Sequence, residues 1–84
     1  MTMPLYTFVA EHNGATELEQ IEARGVDEAT RAWNLRTGTP RIDPARFELD
    51  PPAAVTGLQR VWCFSGLDTS EDLYLVHVIR TGLD

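Results

Sequence analysis

Apolar and polar residues alternate along several stretches of this chain and follow a helical spacing along one. Leu5 to Glu11 reads as a strand, because Tyr6, Phe8 and Val9 suit a pleated, half-buried surface. Asn13-Gly14 follows, the dipeptide that best accepts the positive φ angles of a type I′ hairpin turn. Thr16 to Ala23 is then the returning strand. A two-residue loop sets the register, with His12 opposite Ala15, Phe8 opposite Glu19 and Tyr6 opposite Ile21. One face carries Tyr6, Phe8, Ala10, Ile21 and Ala23. The other carries Leu5, Val9 and Leu18 among Thr7, Glu11, Gln20 and Glu22. The first face is the more apolar and is expected to meet a helix. Glu17 and Glu19 fall on that same face, a conflict that a wet rim, an arginine partner such as Arg31, or a bulge would relieve.

The helical spacing covers about Val26 to Arg36. Gly25 is an acceptable N-cap, and Asp27 and Glu28 sit where the helix dipole favours negative charge. Val26, Ala29, Trp33 and Arg36 form one stripe, widened by Ala32. Gly38 suits the residue after the C-cap, and Pro40 forbids continuation. Between Thr37 and Leu58 lie four of the five prolines. Asp43-Pro44 has the form of an N-cap followed by proline, so a short helical turn is expected over Pro44 to Leu49. Ile42, Phe47, Leu49, Val55 and Leu58 give the segment something to bury.

Gln59 to Ser65 and Leu73 to Thr81 are the clearest strands, joined by a polar loop from Gly66 to Asp72. Val61 and Cys63 alternate with Trp62 and Phe64. Leu73, Leu75, His77 and Ile79 alternate with Tyr74, Val76 and Val78. Both faces of this hairpin are therefore apolar, whereas a half-solvated sheet shows polar residues on one side. The expected fold is α+β: a four-stranded antiparallel sheet in ββαββ order, with one main helix on one face. Residues 1–84 form a single domain, with 37–58 as a crossover or lid. One short helix covers one face. Contiguous apolar surface is rarely left in water, so the second face calls for the 37–58 segment or a second copy of the chain. A homodimer is the expectation, and the segment crossing between subunits is compatible with it.

Composition narrows the function. A chain of 84 residues is one domain with a thin stability margin. The net charge is −6, and all seven basic residues are arginines scattered along the chain, so no basic face for nucleic acid is indicated. No apolar run is long enough to span a membrane. The start, Met1-Thr2-Met3-Pro4, lacks the charged and apolar regions of a signal peptide, so cytoplasmic residence is expected. The single Cys63 forms no internal disulfide, in keeping with a reducing compartment.

Candidate chemistry is sparse. His77 in an apolar strand is a general base or ligand on one reading, and a core or interface histidine on the commoner one. Cys63 becomes a nucleophile only with a base such as His77 beside it; otherwise it is a small hydrophobe. His12, before the turn, is expected to face solvent. The spacing of His12, Cys63 and His77 supports no metal site, and no glycine-rich loop cradles a phosphate. No metal and no cofactor are expected. Glu11, Glu17, Glu19 and Glu22 form an acidic cluster that fits a solvated strand face and edge protection better than acid–base catalysis. Trp62, Phe64, Leu75 and His77 are the candidate interface or pocket residues.

Tyr6-Thr7-Phe8-Val9, the Glu28-Ala29 to Trp33 helix and Val61-Trp62-Cys63-Phe64-Ser65 together resemble a family of small uncharacterised bacterial proteins with a late Trp-Cys strand. The likeness spans about Leu5 to Thr81. It implies one small domain and carries no catalytic role. The sequence thus points to a non-enzymatic protein-interaction or regulatory accessory domain, with a protein partner and a homodimeric state. The alternative is a small-molecule-binding or catalytic homodimer with a pocket under 37–58, using His77 or Cys63.

Overall fold

The computed structural model describes residues 3–81, without the side chains of residues 48–52. Met1 and Thr2, read above for a leader, lie outside them, as does the side chain of Leu49. The strands β1 (Leu5–His12), β2 (Ala15–Glu22), β3 (Phe47–Ala54), β4 (Val61–Leu67) and β5 (Leu73–Arg80) form one sheet, and α1 spans Val26–Leu35. The order across the sheet is β2-β1-β5-β4-β3, and every neighbouring pair is antiparallel.

The first hairpin follows its sequence. Asn13 and Gly14 have φ of 52° and 76°, and Phe8 pairs with Glu19 and Tyr6 with Ile21. β1 then pairs along its other side with β5, so the first and last strands are joined in the middle of the sheet.

Four strands were expected and five are present. The additional strand, β3, comes from the proline-rich segment, so the order is ββαβββ rather than ββαββ. Proline cannot donate to a sheet ladder and is confined to edges and bulges. β3 meets both conditions: it is an edge strand, and its register with β4 shifts between Leu49 and Ala53, the stretch that holds Pro51 and Pro52. The helical turn before it covers only Pro44–Arg46, where the Asp43 side chain accepts from the Ala45 N–H at 3.0 Å. The fourth strand also runs past Ser65 to Leu67, because Gly66 pairs with Phe47 on one side and Tyr74 on the other.

One face of the sheet and α1 enclose the core. Trp33 is its centre. Its ring stacks on Phe8 at 5.7 Å and meets Phe64 and Tyr74 edge-on at 5.5 and 5.7 Å. Ile42 joins this core fully buried. The helix is rotated from the expected stripe. Ala29 and Trp33 are buried as expected, but their companions are Thr30 and Asn34, while Ala32 and Arg36 are exposed. Asn34 turns inward because it holds the backbone of Ile42: its Nδ2 donates to the Ile42 carbonyl at 3.1 Å, and its Oδ1 accepts from the Ile42 N–H at 2.8 Å. Among the described residues no helix is long and apolar enough to cross a membrane.

Candidate functional site

Side chains alternate across a strand, so the residues between those of the core all point to the opposite face. Register sets them in rows. Leu18, Val9, His77, Cys63 and Ala53 are successive partners and cross all five strands. A second row holds Gln20, Thr7, Ile79 and Val61, and a third holds Thr16, Glu11, Leu75 and Ser65. Leu73 pairs with Leu67 beyond the third row. α1 lies on the other side, and the 37–58 segment contributes the edge strand β3 rather than a cover. Leu18 is 71 % exposed, Leu75 45 % and Leu73 43 %. His77 is exposed, and Val9, Val61, Cys63 and Ile79 are half-buried. This is a broad apolar face with nothing packed on it among the described residues.

At one end of the face a polar chain is satisfied internally. Gln20 Nε2 donates to Thr7 Oγ1 at 3.1 Å, and Thr7 Oγ1 lies 2.8 Å from Thr81 Oγ1. At the other end a concavity of about 370 Å³ is lined by Glu11, His12, Leu73, Leu75 and the hairpin tip from Asn13 to Thr16. Within the 37–58 segment Ile42 is fully buried, with Phe47 beside it against the core.

The four residues expected at an interface or pocket divide between the two faces. Phe64 is buried in the core. Trp62 packs against that core, with its ring 6.0 Å from Tyr6. Leu75 and His77 lie on the uncovered face. Cys63 and His77 are direct partners on neighbouring strands, as a Cys–His pair requires. His77 has no described hydrogen bond to a carboxylate to orient it. The partnership is one of backbone register: among the described residues no hydrogen bond joins the Cys63 thiol to His77, so neither link of an activated thiol is made.

A second polar cluster sits beyond the sheet end. His12 is not solvent-facing: register places it opposite Tyr74, whose ring it stacks on at 3.8 Å, nearly parallel. Its Nε2–H donates to Asp68 Oδ2 at 2.9 Å. Asp68 Oδ1 accepts from the N–H groups of Ser70 and Asp72 at 2.8 and 2.9 Å. The Asp72 N–H above all, with His12 and the Ser70 N–H, holds the Asp68 carboxyl below the ordinary aspartate range, against an opposing effect of desolvation. One ligand atom each from His12, Asp68 and Asp72 lies within 4.8 Å of the others. Asp68 Oδ1 holds the loop and Oδ2 holds His12, so the cluster is a clasp between β1 and the β4–β5 loop.

The conflict over Glu19 is resolved by arginines other than Arg31. Arg41 Nη2 donates to Glu19 Oε1 at 2.7 Å. Arg36 Nε lies 3.0 Å from Oε2, an ion-pair contact too bent for a hydrogen bond. The Arg41 guanidinium also lies over the Trp33 ring at 4.8 Å, a cation–π arrangement. Parity along the first hairpin had already put Glu19 on the helix side, whereas His12 was expected in solvent; the partners of both lie on segments whose course the sequence left open.

No family model matches the chain, and neither a curated protein nor a solved structure matches it.

Proposed function

We propose that this protein is a non-enzymatic interaction domain that engages a protein partner through the uncovered face of its sheet. The observation that carries this reading is the exposure of Leu18, Leu73 and Leu75 on one face, around a row that crosses every strand without a formal charge. Interface centres are depleted in charged residues, and an apolar patch of this breadth is rarely left to water. On the helix side the sheet packs on the core, with Trp62 and Phe47 half-buried against it and Leu35 of α1 exposed. The partner surface that fits is apolar and charge-poor at its centre.

The competing reading is a catalytic or small-molecule-binding homodimer. It rests on Cys63 facing His77. Of the segment proposed as its cover, Ile42 is buried in the core and Phe47–Ala54 form an edge strand.

Photo-crosslinking inside the native host tests the interaction reading. A photoreactive residue is placed at position 18 or 75, and at Arg31 on the exposed side of α1 as control. Protein adducts are expected from 18 and 75 and not from 31. Equal or absent adduct formation at all three positions overturns it.

A further inference from the structure

We propose that the partner is a second copy of this chain, packed face to face across the uncovered side of the sheet with its twofold axis along β5. The inference rests on the interaction reading above and names its occupant.

Size is the first argument. Five strands about 4.8 Å apart, each seven or eight residues long at about 3.3 Å per residue, present a projected face of roughly 600 Å². Corrugated side chains expose more than their projection. Specific interfaces bury about 800 Å² on each partner, so one whole face matches one half of a standard interface.

Symmetry is the second. A twofold interface is isologous, so the surface must complement itself. β5 is the middle strand of the five. An axis along it sets the β1–β2 half of one copy on the β4–β3 half of the other. The central row runs from the large, 71 % exposed Leu18 at one edge to the small Ala53 at the other. Large therefore meets small at both edges, while His77, Leu75 and Ile79 of β5 meet their own counterparts on the axis.

Charge is the third. Among the described side chains of this face the formal charges are Glu11 and Glu22, both on the β1–β2 half. They face the partner's β4 and β3, whose described side chains on this side are Val61, Cys63, Ser65, Leu67 and Ala53. Among these described side chains no acid faces an acid, although the chain as a whole carries −6. The edges offer no comparable site for a copy. β3 contains Pro51-Pro52, and β2 bears Glu17, Glu19 and Glu22, both devices that block strand addition.

Sedimentation equilibrium on the purified full chain decides it, with Leu75→Glu, Leu18→Arg and the helix-surface control Arg31→Gln, each checked for an unchanged circular dichroism spectrum. The wild type and Arg31→Gln are expected to be dimers. Leu75→Glu, or Leu18→Arg if the first does not fold, is expected to raise the dimer dissociation constant about 30-fold or more, the effect of losing one hot-spot residue. A wild type that stays monomeric to near-millimolar concentration overturns the second copy and leaves the face open to another protein. A dimer indifferent to both face substitutions overturns the face-to-face packing, because its two copies then meet elsewhere.

Discussion

Gly66 and Ile42 are fitted so closely that a Cβ on Gly66 would stand 2.5 Å from Ile42 Cγ2, with the Arg46 carbonyl oxygen at 3.1 Å and Phe47 Cα at 3.2 Å. The glycine is what lets the proline-rich segment lie down beside β4. Ile42 is fully buried and Phe47 is backbone, so neither gives way easily. Gly66→Ala is expected to destabilise the protein by about 1–3 kcal/mol, as overpacking does. Urea unfolding followed by tryptophan fluorescence measures it. A neutral effect would mean that the segment adjusts freely.

Asn34 anchors the same segment by two hydrogen bonds to the backbone of Ile42. Asn34→Ala leaves a buried N–H and a buried carbonyl unpaired. Each such group costs about 1–3 kcal/mol, so a loss of roughly 2–6 kcal/mol is expected. Amide hydrogen exchange at Ile42 should accelerate more than at Val76 in the sheet. Uniform acceleration would show instead that the segment opens only with the whole fold.

Glu19 and Arg41 form a pair in which the arginine side chain is 10 % exposed. Removing the carboxylate strands that guanidinium against Trp33, and Glu19→Ala is expected to cost about 1–3 kcal/mol. The double variant with Arg41→Met should be less destabilised than the sum of the single changes, because no unpaired buried charge remains, the Arg36 side chain being 53 % exposed to water. Thermal unfolding of the four proteins gives the coupling directly, and additivity would show that the pair contributes nothing.

The clasp at Asp68 makes stability depend on pH. Its folded pKa is depressed, so its contribution is present above the ordinary aspartate value and is lost as pH falls through the lower folded value. Asp68→Asn should therefore melt below the wild type at neutral pH, and the difference should close in acid well below the ordinary carboxylate range. A difference that persists there would assign the effect to something other than the carboxylate charge.

Cys63 gives a chemical readout of the face on which it lies. In a face-to-face dimer its thiol is covered, so reaction with a disulfide reagent should slow as the protein is concentrated from low micromolar upward. The Leu75→Glu variant should react at one rate throughout. A wild-type rate independent of concentration would place Cys63 outside any self-contact.

The legibility of this structure in its sequence depends on how local each contact is. Asn13-Gly14 fixed the first hairpin, and the alternation around Trp62 and Tyr74 fixed the last, because turn chemistry and period-two patterning act over a few residues. On the first hairpin Leu5, Val9 and Leu18 fell on the second face by parity alone, but which half of the last hairpin joins them did not show, because both of its faces are apolar. β3 did not show, because Pro51-Pro52 reads as a break unless its edge position is known. The rotation of α1 and the partners of Glu19 and His12 were hidden for a related reason. Each is set by a segment, 41–47 or 68–72, whose path depends on contacts distant in sequence.

The pairing of β1 with β5 bears on how the chain is made. Thr7 and Thr81 touch across a separation of 74 residues, and the strands beside them stand at the middle of the sheet, not at its rim. During synthesis the β1–β2 hairpin and α1 emerge first, with Phe8 and Val9 lacking their central neighbour. The sheet cannot close until Arg80 has left the ribosome. A nascent chain halted before that point carries a greasy, half-built platform, and its escape from misassociation rests on the speed with which β4 and β5 arrive.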